Sequence, residues 1–80
     1  MNTQDRAYQA RELVEVRAVL ADLLAHDEAL RASESAATKY SAIVLELSTR
    51  RWELGQRYTD MYGVADFATI VRDAELIAVA

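Results

Sequence analysis

The fold of this protein depends on the stretch Ala32-Ser33-Glu34-Ser35, near the middle of its 80 residues. Before and after this stretch, apolar residues repeat at steps of three and four, as they do along one face of an α-helix. The two repeats are three residues out of phase, so one straight helix cannot present both on the same face. Because serine is a favoured helix N-cap, we predict a tight turn here and an antiparallel helical hairpin. A single continuous helix is the alternative, since no Gly or Pro enforces the break.

The first predicted helix runs from about residue 5 to residue 32. Its apolar seam consists of Leu13, Val16, Leu20, Leu23 and Leu30, with Asp27 in the one remaining position. At about 100° per residue, Val19 and Leu24 flank this seam and widen the apolar arc to roughly 140°. Because that arc is wider than the stripe of a two-stranded coiled coil, we expect this helix to contact two neighbours.

The second predicted helix runs from about residue 35 to residue 62 and has the same spacing. Its seam consists of Tyr40, Val44, Leu47, Arg51, Leu54, Tyr58 and Met61, with Ile43 beside it. Leu45 and Trp52 are seven residues apart and share a separate face, roughly 100° or more from the seam. Two apolar faces indicate that this helix packs against the first helix and against something else.

A short third helix is predicted from about residue 66 to residue 78. Gly63 suits the left-handed position that ends a helix, and Asp66 can cap the next one. The inner face would consist of Val64, Phe67, Ile70, Val71, Ala74 and Ile77. We therefore predict an all-α protein in which one domain, residues 1–80, forms a long antiparallel hairpin plus a short C-terminal helix.

The composition excludes several classes of site. The chain has no Cys and one His, so it can form neither a disulfide nor a site of several Cys or His ligands. Its formal net charge of −4 argues against nucleic-acid binding, which normally uses a basic surplus. Without a long apolar run or an apolar leader, we expect no membrane segment and no signal peptide. The expected location is the cytoplasm, or a phage particle for a virion component, and no cofactor is predicted.

His26 is the only candidate for metal or proton chemistry. Asp22 lies four residues earlier on the same helical face, and Asp27 and Glu28 follow. However, Leu23 occupies the position that a Glu-x-x-His motif of the di-iron type requires for Glu. We therefore interpret His26 as an ordinary solvated or capping residue, and we predict no metal site and no catalytic residue.

The most basic and aromatic segment is residues 50–58, which contains Arg50, Arg51, Trp52, Arg57 and Tyr58. Arginine interleaved with aromatic residues is typical of surfaces that bind single-stranded nucleic acid. Glutamates four residues before two of these arginines predict the surface pairs Glu46–Arg50 and Glu53–Arg57 instead. We therefore expect a salt-bridged outer face here.

A helix-turn-helix around Gly63 is also rejected. The would-be recognition helix carries Asp66, Asp73 and Glu75 against Arg72 alone. Phosphate would repel such a helix.

The predicted dimensions favour an assembly role. Helices of about 28 residues are roughly 42 Å long, whereas a compact globule of this length is about 30 Å across. We expect the hairpin to bury Leu13, Val16, Leu20, Leu23, Val44, Leu47 and Leu54. A short third helix covers only part of it, so the rest of the apolar surface needs a partner. The predicted partner-binding residues are Leu45, Trp52, Leu76, Ile77 and Val79, with Trp52 as the hot spot because Trp dominates truncation losses at interfaces.

Asp27 and Arg51 each place a charge in an apolar seam. Polar seam residues can set the register between helices at some cost in stability. In a hairpin turning near Glu34, the two residues lie at different levels and can meet only between chains. We predict that they are register-setting residues, with snorkelling at the seam edge as the alternative.

The sequence therefore predicts a non-enzymatic protein–protein interaction subunit, a structural component of a larger bacterial or phage complex, which oligomerises or binds a protein partner. One alternative is a small regulator or inhibitor that masks the surface of another protein. A second alternative is an obligate-dimer helical enzyme with a shared Arg/Glu site, for which Arg17, Arg51 and Glu15 would be the raw material.

Overall fold

The computed structural model describes residues 3–76, with side chains from residue 4 onward, and these residues form helices and turns without a strand. The helices are α1 (Thr3–Ala25), α2 (Asp27–Leu30), α3 (Glu34–Tyr62) and α4 (Phe67–Glu75). The helix α3 folds back against α1, and α4 also packs against α1. The predicted all-α hairpin with a short third helix is confirmed. None of the helices described between residues 3 and 76 combines the length and apolarity needed to cross a membrane.

The residues predicted to interrupt the helices do so. Ser33 has an extended backbone (φ −131°, ψ 162°), and its hydroxyl accepts a hydrogen bond from the Ala36 amide at 3.1 Å. Gly63 ends α3 in the left-handed region at φ 68°, where a side chain would be strained. The Asp66 carboxylate caps α4 by accepting from the Thr69 amide at 2.9 Å. Local capping chemistry therefore sets both turns.

The first helix ends earlier than predicted. It stops at Ala25 instead of continuing to about residue 32, and the single turn α2 follows after His26 (φ −108°, ψ 21°). The imidazole Nδ1 of His26 lies 2.8 Å from the carbonyl oxygen of Asp22. Because a carbonyl only accepts, this nitrogen donates, and the same carbonyl also accepts from the His26 amide at 3.2 Å. At the other end, α4 stops at Glu75; Ile77 and Val79 lie outside the described residues.

Close packing of α4 against α1 is built on alanine. Ala7 and Ala10 are completely buried, and such small side chains let two helix backbones approach closely. By contrast, no Cα atom of α4 lies within 8 Å of a Cα atom of α3. The larger gap between those helices is filled by Tyr58, which packs with Leu13 and Ile70 in the core.

The predicted burial of the hairpin seam is only partly correct. Leu13 and Leu20 are buried, but five others of the expected core are only partly buried: Val16, Leu23, Val44, Leu47 and Leu54. Two helices alone cannot enclose a side chain on every side, and α4 reaches only one end of the hairpin. The molecule measures 47 × 24 × 17 Å with a radius of gyration of 15.0 Å, above the roughly 12 Å of a compact chain of this length.

Candidate protein-interaction surface

A polar cluster joins α1, α3 and α4 at the end of the molecule that lies away from the hairpin turn. Arg6 of α1 donates from Nε to Oδ2 of Asp73 on α4 at 2.9 Å, and its second contact, from Nη2 to the same oxygen, is also 2.9 Å. Nε lies 3.3 Å from the hydroxyl of Tyr58 on α3. The Tyr58 hydroxyl in turn donates to Asp73. We call Arg6, Tyr58 and Asp73 the polar lock, because each helix contributes one member.

Aromatic contacts surround the polar lock. The Tyr62 ring lies 4.7 Å from the Tyr58 ring between centroids, and the Arg6 guanidinium carbon is 5.1 Å from the Tyr62 centroid. Within residues 4–76, the buried Tyr62 hydroxyl has no hydrogen-bond partner. The polar lock lies apart from the three grooves lined by Trp52, by Val71 and by Phe67.

This cluster was not predicted from the sequence. Asp73 was considered only as an acid that phosphate would repel on a recognition helix, whereas the side chain is buried against Arg6. One signal was present: Asp73 lies three residues after Ile70, on the predicted inner face of α4. Nothing in the sequence named Arg6, near the N-terminus, as its partner.

We expect the free energy of unfolding to fall at alkaline pH, where the Tyr58 hydroxyl of the polar lock ionises. Tyr58 is 1% exposed, and burial, followed by its hydrogen bond to Asp73, raises the pKa of its hydroxyl to about 12. A pKa raised above the unfolded value of about 10 favours the protonated folded state. That contribution is complete below about pH 10 and is lost as the pH rises towards about 12. At about 1.4 kcal/mol per pKa unit, it amounts to roughly 2 to 3 kcal/mol.

Urea denaturation followed by circular dichroism between about pH 9 and pH 12 measures this loss. The Tyr58→Phe variant should lose less stability over that range, because it has no hydroxyl to ionise at this position. The exposed Tyr8, replaced in Tyr8→Phe, provides the control and should retain the steep decline. Equal slopes for wild type and Tyr58→Phe would contradict the prediction.

Away from the polar lock, one side of the hairpin is progressively uncovered. On α1, residues at seven-residue spacing share a face. Ala10 is 0% exposed beneath α4, Arg17 is half-buried beside the start of α4, and Leu24, farther from α4, is 53% exposed. Along α3, Tyr62 and Gly55 are half-buried, whereas Ser48 and Ser41 are exposed. The cover therefore ends where α4 begins.

We define the open face as the uncovered continuation of this side, formed by Leu24 of α1 and by Ser41, Val44, Leu45, Ser48 and Trp52 of α3. Leu45 is 70% exposed and Trp52 is 66% exposed. Trp52 also lines a groove of about 450 Å³ together with Ser48, Arg51, Gly55 and Ile70. Leu45 and Trp52 are thus accessible, as their predicted binding role requires, and that role stays a prediction. Leu76 is also exposed, but it follows α4 and lies outside the open face.

Two arginines meet where α4 begins. Arg17 and Arg51 line the same hollow, of about 170 Å³, next to Phe67 and Gly55. The Arg17 guanidinium carbon lies 3.6 Å above the Phe67 ring centroid, a cation–π contact. Glu15, the third residue of the shared-site enzyme alternative, lines a separate groove with Val71 and Ala74. The structure therefore places Arg17 and Arg51 at the same hollow but Glu15 at a different groove.

The two predicted register-setting residues lie apart. Asp27 pairs with Arg31 at 3.3 Å, and burial, followed by a hydrogen bond to Asp27, raises the pKa of Tyr40. Arg51 is exposed and forms no ion pair within residues 4–76. Asp27 therefore has partners within its own chain, whereas Arg51 has none there. Their pairing between chains stays a prediction.

The predicted ion pairs on the outer side of α3 are wrong. Neither Glu46–Arg50 nor Glu53–Arg57 forms in the described part of the chain; Arg50 instead pairs with Glu12 of α1. An ion pair across the hairpin can replace one within a helix because exposed ion pairs of either kind contribute little to the free energy of folding. The Arg50–Glu12 contact lies on the side of the hairpin away from the open face.

His26 is exposed, and its carboxylate neighbour Asp22 lies 3.6 Å away. Between residues 3 and 76, no three His, Asp or Glu side chains are grouped so that they could hold a metal ion.

Comparison of the chain with protein-family models, with curated proteins and with solved structures gives no match.

Proposed function

We propose that this protein is a non-enzymatic assembly subunit that binds another protein chain through its open face. One observation carries the proposal: α4 completes the helical layer over only one end of the hairpin, and large apolar side chains are exposed beyond it. Large exposed apolar side chains rimmed by polar residues often mark an interaction site. Such a subunit would work in the cytoplasm, or in a phage particle if it is a virion component.

The residues of the open face have the character of an interface centre. Trp52 offers a large ring with one hydrogen-bond donor, and aromatic residues of this kind supply much of the binding energy at protein interfaces. Leu45 lies two helical turns away on the same side, and Leu24 lies on α1 beyond the start of α4. Arg17 and Arg51 border this apolar area with positive charge, as a polar rim would.

Replacement of Trp52 with alanine tests the proposal. Because a hot-spot residue contributes about 2 kcal/mol or more, we expect Trp52→Ala to weaken binding about 30-fold. The measurement compares the molar mass in solution and the proteins retained by immobilised wild-type and variant chains. Tyr8→Ala is the matched control, since Tyr8 is an exposed aromatic residue outside the open face. If Trp52→Ala changes neither the mass nor the retained proteins, the proposal is wrong.

A further inference from the structure

We infer that the chain covering the open face is a second copy of this protein, packed antiparallel about a two-fold axis. This inference rests on the proposed function and names its partner. The two hairpins would form a four-helix bundle over their uncovered ends, with one α4 at each outer end. Each copy would then supply the helical layer that α4 does not reach in the other.

The charges at the two ends of the open face are complementary. Glu34, at the start of α3, is exposed, and so is Arg51 at the other end of the face. These two residues are 17 positions apart, which corresponds to about 25 Å along the helix at about 1.5 Å per residue. In an antiparallel dimer centred between them, Glu34 of each copy meets Arg51 of the other. The two-fold axis makes both pairs at once.

The surroundings strengthen this complementarity. Asp27 and Glu28 lie beside Glu34 at the turn of the hairpin, where Arg31 is the opposing charge and is already paired with Asp27. Arg17 lies beside Arg51 at the other end. An acidic end therefore meets a basic end in the antiparallel arrangement, whereas a parallel arrangement would place like charges together and is disfavoured.

The side chains near the proposed axis allow close approach. Ser41 and Val44 lie on either side of the midpoint between Glu34 and Arg51, and Ala37 and Ser48 exchange places across it. Small residues at a helix crossing permit short interaxial distances. Trp52 of one copy would then cover Ser33 and Ala37 of the other, which removes its ring from water.

Charge reversal tests the pairing. We expect the molar mass of wild type in light scattering to rise to that of a dimer with increasing protein concentration, because dimer population follows protein concentration. Arg51→Glu places like charges opposite Glu34 twice and should weaken the dimer at least tenfold. The double variant Glu34→Arg/Arg51→Glu restores both pairs between the two copies and should recover most of the affinity. Arg57→Glu, exposed on another side of α3, is the control and should dimerise as wild type does. Circular dichroism checks that each variant is folded.

The absence of cysteine from the sequence allows a direct test of geometry. A cysteine introduced by Ser41→Cys lies near the axis and should form a disulfide-linked dimer on mild oxidation. Lys39→Cys, about 160° around the same helix, should not. Dimers in which Ser41→Cys fails to link, or in which the double variant stays as weak as Arg51→Glu, overturn the antiparallel arrangement.

The solution mass separates this inference from the proposed function. If wild type is a monomer over the whole concentration range, yet retains a different protein that Trp52→Ala loses, the second copy is wrong and the assembly function stands. If it is a monomer and Trp52→Ala changes nothing, both are wrong. Trp52 emission gives an independent readout, because the single tryptophan should shift to shorter wavelength as dimers form.

Discussion

Replacement of Asp73 with alanine is expected to lower the free energy of unfolding by about 3 to 5 kcal/mol. The Asp73 carboxylate binds both Arg6 and Tyr58, and its side chain is 12% exposed. Removal of this one acceptor leaves the half-buried guanidinium of Arg6 and the buried hydroxyl of Tyr58 without their partner, which costs more than the loss of a surface ion pair. A domain of this size has a total stability of only about 4 to 12 kcal/mol, so the variant should be close to unfolding at room temperature.

Urea denaturation followed by far-ultraviolet circular dichroism measures the loss. Glu75→Ala changes an exposed acid on the same helix and should cost less than about 0.5 kcal/mol. Because Asp73→Ala could abolish folding altogether, the double variant Arg6→Met/Asp73→Leu provides a second measurement. It removes both charges and should recover part of the stability, since the Tyr58 hydroxyl still lacks its acceptor. An Asp73→Ala variant as stable as Glu75→Ala would show that the polar lock contributes little.

Replacement of Leu13 with alanine is expected to cost about 2 to 5 kcal/mol. Leu13 is buried in the core between Tyr58 and Ile70, where α1, α3 and α4 meet. Truncation there removes apolar contacts and leaves a cavity that three packed helices cannot close. Leu24 is the matched control, since it is the same residue type on the same helix but is mostly exposed.

Leu24→Ala should cost less than about 1 kcal/mol in the isolated chain, because few contacts are lost. Thermal or urea unfolding of the two variants under identical conditions gives the comparison. It should be made at low protein concentration, since dimerisation through the open face would add to the stability that Leu24 supports. Equal losses at the two positions would contradict the division of the hairpin into a covered and an uncovered end.

The helical elements could be predicted because their signals are local. The apolar spacing, the serine cap at Ser33, the left-handed Gly63 and the Asp66 cap all act within a few residues of themselves. The exposed position of Leu45 and Trp52 followed from the same helical spacing. The break at His26 was missed because no Gly, Pro or Ser stands at it and the three-and-four spacing continues through it to Leu30.

The sequence by itself therefore determined that the chain is helical, where it turns back and which residues lie away from the hairpin seam. Only the tertiary structure decided that α4 packs on the alanines of α1, that Arg6, Tyr58 and Asp73 form a polar lock, and that cover ends near Arg51. The physical reason is distance along the chain. Helix propensity and capping involve neighbours, whereas Arg6 and Asp73 are separated by 67 positions and meet only because the small side chains of Ala7 and Ala10 admit α4.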